Sequence, residues 1–265
     1  MKKELSIIIV NYNKYQLTQK CIKSVISNIN NIEYEIIVVD NCSTTIISYT
    51  QLINKNKNNK NIRVLKTIQN KGFGYGNNEG VKASKYENIL LLNPDVEVLG
   101  DSIEKMLDRI LSDNNIGVIG CKLLNEDLTL QYSCRRFIPL TKFLLARTPL
   151  KRLASNKVIN KINSQYLMLD YDHIEEKEVD WLMGSCLMLR KKDFNEVKGF
   201  SKEYFMYFED VDLSYKLKKA GKKILYYPQA SMIHLHEQES TKKINKLTYF
   251  HFISMYKFYK KFVLN

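Results

Sequence analysis

The sequence predicts an α/β protein with a mostly parallel central sheet flanked by helices and a C-terminal helical extension. Three observations carry that expectation. Leu5 to Val10 (LSIIIV) and Glu35 to Val39 (EIIVV) are short, continuous, β-branched runs, the pattern of strands buried on both faces of a parallel sheet. Stretches with apolar residues at helical spacing lie between such runs, an order that makes right-handed crossovers. At 265 residues with 45% hydrophobic composition, the chain can bury one substantial core with a modest appended lobe.

The elements follow in order. After LSIIIV, Asn13 can cap a helix on which Ile22, Val25, Ile26 and Ile29 recur at helical spacing. EIIVV ends at Asp40, and a polar Asn/Lys-rich stretch then suits a loop before a third strand, Ile62 to Leu65. Ile89 to Leu92 is the next strand, and Asp101 opens a helix whose Ile103, Met106, Leu107, Ile110 and Leu111 form one apolar face. Ile116 to Cys121 returns to strand. The stretch from 128 to 169 is expected to hold helices broken at Pro139 and Pro149. Val179 to Arg190 resumes strand character, and Val211 to Ala220 reads as a helix closed by Gly221. Ile224 to Tyr227 reads as a strand ended by Pro228, with a further strand-like pattern from Ala230 to Leu235.

The net charge of +13 is regional. Between Leu128 and Leu169 there are eight basic residues and no acid, and from Thr241 onward six lysines and again no acid. Such segments call for an anionic partner: phosphate headgroups, a lipid-linked diphosphate or nucleic acid. On a helical wheel, Phe252, Met255, Tyr256, Tyr259 and Val263 share one side with lysines on a flank, the layout of an interfacial helix. No apolar run reaches the roughly 20 residues of a membrane span, and no signal-peptide layout precedes Leu5. A soluble or peripheral protein on the cytoplasmic side is expected. Five cysteines, odd in number and without CxxC pairing, indicate neither a disulfide framework nor a zinc site.

In an open parallel sheet, ligands bind beyond the carboxyl ends of the strands. Polar clusters follow three of the apolar runs: Asn11-Tyr12-Asn13, Asp40-Asn41 and Asn93-Pro94-Asp95. A carboxylate at Asp40 can accept the imide N–H of a pyrimidine base, with Tyr12 stacked beside it. Asp95 suits a divalent cation on a diphosphate, with Glu97 as a possible second ligand. Gly72-Phe73-Gly74-Tyr75-Gly76 fails as a dinucleotide fingerprint, because Asn77 stands at the third glycine position and the motif follows the third strand-like run. It reads as a flexible loop leading into a helix. Phe205 to Leu213 (FMYFEDVDL) sets Glu209, Asp210 and Asp212 against aromatics, an environment that raises the pKa of a general base. Asp210 is the choice. His234 and His236 fall on one face of a strand, where a neutral imidazole can complete a metal site.

SIIIVNYN, VVDNCS, QNKGFGYGNNEG, LLNPDV, WLMGSCLMLRKKDFNEVKGF and FMYFEDVDL, in this order and spacing, closely resemble family 2 glycosyltransferases of the GT-A fold. The nearest likeness is to the rhamnosyltransferase-like branch that builds bacterial surface polysaccharides, and it covers roughly residues 4 to 240. It implies a Rossmann-like GT-A catalytic domain over 1–240, with a nucleotide-sugar-binding half over 1–121 and an acceptor half over 122–240. Residues 241–265 then form a separate basic amphipathic helix. The resemblance also implies single displacement with inversion and a Mn2+ or Mg2+ cofactor.

Residue by residue, the resemblance puts Asn11, Tyr12, Asn13, Asp40, Asn41, Lys71, Gly72, Asn77 and Asn93 at the nucleotide. Asp95 and His234 fall at the metal, Asp210 at the base position with Glu209 beside it, and Trp181, Gly184 and His236 at the acceptor and donor sugar. The implied donor is a nucleotide diphosphate sugar, dTDP-L-rhamnose or a UDP-hexose or UDP-N-acetylhexosamine. The implied acceptor is a lipid-linked saccharide at the anionic inner face of the plasma membrane, with no nucleic acid partner. A basic nucleic-acid-binding protein accounts for less, since it leaves carboxylates on three separate loops unexplained, and an inactive binding module is a third option. Two departures stand out: the DxD position reads Asn93-Pro94-Asp95, and Thr45 replaces the acid often found after DNxS. The QxxRW signature of processive synthases is absent, which favours one sugar per encounter.

Overall fold

The computed structural model describes residues 2–235 and 246–262. The first half alternates strand and helix: β1 (Glu4–Asn11), α1 (Tyr15–Asn28), β2 (Glu33–Asp40), α2 (Ile46–Asn56), β3 (Ile62–Lys66), α3 (Phe73–Ala83) and β4 (Asn88–Leu92). These strands pair in parallel in the order β3-β2-β1-β4, with Asn11 level with Asp40 and Ile9 level with Leu92. Next come β5 (Val96–Val98), α4 (Ser102–Ser112), β6 (Ile116–Leu124), β7 (Leu130–Gln131) and β8 (Cys134–Arg135). The basic segment supplies α5 (Leu140–Arg147), a 3-10 helix (Pro149–Leu153) and α6 (Asn156–Leu167). The chain ends with β9 (Lys177–Glu178), β10 (Trp181–Leu182), β11 (Cys186–Arg190), α7 (Lys191–Glu196), α8 (Glu209–Lys219), β12 (Lys223–His234) and α9 (Lys246–Phe262).

The sheet continues from β4 through β11, β6 and β12 to β5, with β11 antiparallel to both its neighbours. Because side chains alternate across a strand, the continuous apolar runs feed two cores at once. Ile7, Ile9, Ile36 and Val38 join the helices α1 and α4 on one face, while Ile8, Val10, Ile37 and Val39 join α3 and α8 on the other. Each fully buried Ile or Leu contributes about 1.5–3 kcal/mol of transfer free energy, which explains why no polar residue interrupts these runs. A third, aromatic cluster brings together Phe143, Trp181, Tyr204, Phe208, Met255, Phe258 and Tyr259.

Several expectations need correction. Asn13 does not cap α1: its φ is +56° and its side chain bonds Thr44, while Asn11 Oδ1 accepts from Lys14 N at 3.2 Å. The polar stretch after β2 contains the helix α2, because Leu52 is fully buried in the core and pins it there. Gly72 to Gly76 is not a flexible loop. Gly72 precedes α3 at φ +102°, where a Cβ would lie 1.9 Å from Phe205 O, and the other two glycines lie inside the helix. Pro228 does not end its strand, since β12 passes it with a register shift between Tyr227 and Ser231 that absorbs the missing donor.

The apolar side of α9 is not left for a bilayer. Met255, Phe258 and Tyr259 are buried against the domain, and Tyr259 OH donates to Ile138 O at 2.6 Å. Val263, Lys242, Lys243 and His236 lie outside the described residues. No described helix is long and apolar enough to cross a membrane.

Candidate active site

The parallel register delivers Asn11 and Asp40 side by side at the carboxyl edge of the sheet. Both are sealed from solvent. Asn11 Nδ2 donates to Asp40 Oδ1 at 2.8 Å and to Ser43 Oγ at 3.2 Å, while Ser43 Oγ and Ser43 N donate to the two Asp40 oxygens at 2.5 and 3.2 Å. Asp40 therefore shapes the 41–45 loop from within, and Tyr12 and Asn13 stand exposed beside it. Asn41 Nδ2 donates to Asn70 Oδ1 and to Gly72 O, both at 3.0 Å, and Phe73 N donates to Phe205 O at 3.1 Å. These bonds tie the β2 loop to the start of α3, and α3 to the loop that precedes α8. Lys71 is exposed, its Nζ over the Tyr75 ring, and Asn77 is buried with Nδ2 donating to Phe73 O at 3.1 Å.

Asp95 follows β4 at the same edge. Leu235 N donates to Asp95 O at 2.9 Å, and the pairing of β12 with β5 sets His234 level with Val96. His234 Nε2 consequently lies 3.4 Å from Asp95 Oδ1, and Lys14 Nζ lies 3.7 Å from Oδ2. Burial pushes the Asp95 carboxyl up, but His234 and Lys14 outweigh it and hold its pKa below the usual value. His234 Nδ1 meets Gln131 Oε1 at 2.7 Å, and Gln131 Nε2 donates to Asn125 Oδ1 at 3.0 Å. The amide orientation makes Gln131 Oε1 an acceptor for Nδ1–H, which orients the ring with Nε2 toward Asp95.

These residues fit a divalent cation. Asp95 Oδ1 and the neighbouring Asn93 Oδ1 are buried without a hydrogen-bond partner, and a carboxylate with an imidazole is a donor set for Mn2+ or Mg2+ completed by phosphate and water. Glu97 does not join them. It is exposed in β5, and the described residues hold no cluster of three or more His, Cys, Asp or Glu suited to a metal.

Glu209 and Asp210 open α8. The two residues before them, Tyr207 and Phe208, both adopt φ +68°, a left-handed conformation costing of order 1–3 kcal/mol per residue. Asp210 Oδ2 accepts from Gly184 N and Oδ1 from Val211 N, both at 2.9 Å. Gly184 thus binds the carboxylate through its backbone, and a Cβ there would lie 3.4 Å from Asp210 Cβ. Asn93 N donates to Ser185 O at 2.9 Å, so Asp95 and Asp210 flank the same Gly184-Ser185 segment. Burial, then the charge of Asp210, pushes Glu209 up to about 8, and burial also raises Asp210. Glu209 Oε2 is buried without a partner. Asp212, the third acid of the motif, is structural: it is fully buried against Lys216 at 2.9 Å, Lys261 at 3.0 Å and Ser201 Oγ at 2.6 Å. Trp181 is buried in β10, its ring 6.0 Å from that of Tyr166.

The chain matches the family described as Glycosyl transferase family 2 over residues 6–212. It belongs to glycosyl transferase family 2. Among family members, it is 30% identical over 192 residues to an N-acetylglucosaminyl-diphospho-decaprenol L-rhamnosyltransferase of Mycobacterium tuberculosis, covering 68% of this chain and 61% of that protein. It is 31% identical to the rhamnosyltransferase WbbL of Escherichia coli, covering 71% of this chain and 69% of that one. The chain therefore spans less than two thirds of the mycobacterial relative. The crystal structure of GalNAc-T7 with UDP, GalNAc and Mn2+ shares the fold, with a TM-score of 0.68 at 17% identity over 91% of this chain and 45% of that chain. The expected GT-A architecture and rhamnosyltransferase-like kinship both hold.

Sequence reasoning missed several residues that the fold brings to this edge. Gln131 carries no motif and is recognisable only once β7, paired with β6, has set its side chain beside His234. Lys14 is equally unmarked in the sequence, while Ser43 and Asn70 lie inside the VVDNCS and QNKGFGYGNNEG motifs without a role assigned to them. Arg135 and Arg147 counted there as charge alone.

Proposed function

We propose that the chain is an inverting glycosyltransferase that moves one sugar from a nucleotide diphosphate donor to a lipid-linked saccharide at the cytoplasmic face of a membrane. The observation that carries this reading is the Gly184 bond to Asp210, which sets a half-buried carboxylate of raised pKa beside the segment that also bonds Asn93. Asp210 takes the proton from the acceptor hydroxyl, whose oxygen then attacks the anomeric carbon from the face opposite the diphosphate. The bond from that carbon to the diphosphate oxygen breaks, and the diphosphate leaves with the electron pair. A burial-raised pKa brings the carboxylate closer to the working range of a general base.

Asp95 and His234 hold the cation, which when bound neutralises charge on the leaving diphosphate. Tyr12, Asn13, Asp40, Asn41, Lys71, Gly72, Asn77 and Asn93 surround the nucleotide, Asp40 chiefly by fixing the loop that meets the base. Trp181 and Gly184 line the acceptor side, and the basic segments face anionic lipid. The names of the mycobacterial and Escherichia coli relatives support rhamnose as the transferred sugar, and dTDP-L-rhamnose is the donor that the family resemblance implies for it.

A thermal-shift panel of dTDP- and UDP-sugars with and without Mn2+ tests the reading, because a ligand of the folded state alone raises the melting temperature. One donor should stabilise selectively and more strongly with Mn2+. A chain that no nucleotide sugar stabilises under either condition is not this transferase.

A further inference from the structure

The aromatic cluster beside Asp210 holds two guanidinium groups with no part in the chemistry above. Arg135, in β8, has its Cζ 5.6 Å from the centre of the Tyr166 ring and 6.0 Å from that of Trp181. Arg147, at the end of α5, has its Cζ 5.0 Å from the same Tyr166 ring. Several other cations are paired: Arg136 forks onto Asp170 at 2.6 and 2.8 Å, Arg109 onto Glu176 at 2.7 and 2.8 Å, and Lys218 meets Asp180 at 2.6 Å. Among the described residues, neither Arg135 nor Arg147 forms an ion pair with a carboxylate. Arg135 Nη1 donates to Cys134 O at 3.2 Å, Nη2 makes a weak contact with Met183 Sδ at 3.8 Å, and the guanidinium also interacts with the Tyr166 side chain. Most of the ten N–H donors of the pair are therefore not used within the protein.

Stacking on aromatic faces orients a guanidinium and leaves its edge donors in a planar fork that matches phosphate oxygens. Met183, which touches Arg135, immediately precedes the Gly184 that binds Asp210. The charge of Arg135 is felt at the Asp210 carboxyl, and that of Asp210 at Tyr166. Beyond Arg147, the 3-10 helix exposes Leu150 and Leu153, the latter 81% accessible, on either side of Lys151 and Arg152. Exposed leucines between cations suit the apolar end of an amphiphile.

We infer that Arg135 and Arg147 form a diphosphate subsite for the acceptor, whose phosphates join a short saccharide at Asp210 to an apolar chain running toward Leu150 and Leu153. This rests on Asp210 being the base of the proposed transfer. It makes the substrate an early, phosphate-proximal saccharide, so the reaction that supplies it must be a sugar-phosphate transfer onto a lipid phosphate.

Trp181 is the only tryptophan in the chain, and it sits against Arg135, so its fluorescence reports on the subsite without knowledge of the acceptor sugar. Farnesyl diphosphate titrated into the full chain should give a saturable change, whereas farnesol should not. Arg135→Gln and Arg147→Gln should each weaken that binding at least tenfold, and neither should alter the thermal shift given by UDP or dTDP with Mn2+. Arg147 is exposed, so its variant stands as a folded test if Arg135→Gln proves unstable. Wild-type affinity for farnesyl diphosphate in the Arg147→Gln protein would overturn the assignment, and so would an equal, arginine-dependent response to phosphatidylglycerol vesicles. Arginine-dependent diphosphate binding in a chain that binds no nucleotide would keep the subsite and remove the transferase reading.

Discussion

Replacing Glu209 by Gln should stabilise the protein, and by an amount that grows with pH. The side chain is 7% exposed, Oε2 has no partner, and burial together with Asp210 pushes the carboxyl from an ordinary 4.5 up to about 8. A raised carboxyl pKa means that the folded state binds the proton more tightly than the unfolded chain. The contribution to stability is therefore complete below the unfolded pKa and is lost as pH rises through the folded one, at about 1.4 kcal/mol per pH unit. Over that window the loss reaches about 5 kcal/mol, an upper bound because Glu209 and Asp210 share one electrostatic environment. Gln removes the charge but buries an amide without a partner, which costs about 1–3 kcal/mol at every pH. The variant should melt at or slightly below the wild type at pH 5 and above it at pH 8. A net gain of about 2 kcal/mol corresponds to about 4–8 °C for a domain of this size. Melts by circular dichroism at pH 5, 6.5 and 8 decide the matter: a difference between the two proteins that does not change with pH would refute the reasoning.

Asp210→Asn should lower transfer by about 10²–10⁴-fold while keeping the nucleotide-dependent thermal shift, because it removes the base and leaves the donor side intact; a variant within tenfold of wild-type rate would exclude Asp210 as the base. Asp95→Asn should abolish the extra stabilisation that Mn2+ adds to a nucleotide without moving the metal-free melting point by more than a few degrees, as titration calorimetry and thermal shift can both register. Asp212→Ala leaves Lys216 and Lys261 facing each other without their shared carboxylate, and a loss of about 3–5 kcal/mol is expected in urea denaturation. Gly72→Ala should fail to accumulate as folded protein, since its Cβ would overlap the Phe205 carbonyl and φ is +102°.

The buried half of the fold was legible because its physics is local. Ile7 to Val10 and Ile36 to Val39 are apolar without interruption, and only a strand covered on both faces asks for that. The helix α4 was equally plain, with Ile103, Met106, Leu107 and Ile110 of its apolar face fully buried and Leu111 packed at its edge. What escaped was set by contacts distant in sequence. Nothing near Leu52 marks α2 apart from one leucine that the core accepts. Pro228 reads locally as a stop, yet pairing with β6 carries the strand past it. In the site, acids after strands were recognisable as types and Asp210 was the base chosen, but the sequence did not show that Asp212, two residues on, holds α9 while Asp210 bonds Gly184. Helical phase decides that difference, and only the positions of β10 and α9 reveal which partner each side chain meets.

The same contacts explain how an unfavourable arrangement persists at the start of α8. Two successive left-handed residues and a buried, partnerless Glu209 each work against folding, and the segment is too short to hold itself. Its support comes from α9, beyond the family match. The His251 ring packs 5.3 Å from Tyr207 and 5.5 Å from Phe208, Ser254 Oγ donates to Met206 O at 2.9 Å, and Lys257 Nζ donates to Glu203 O at 2.6 Å. His251 itself is held down to about 4 by burial and by Arg147, so it packs as a neutral ring across the physiological range. An amphipathic helix with lysines at its end thus has its apolar face occupied in fixing the loop that aims Asp210. Its exposed Tyr249 and Tyr256 are what it still offers to another surface.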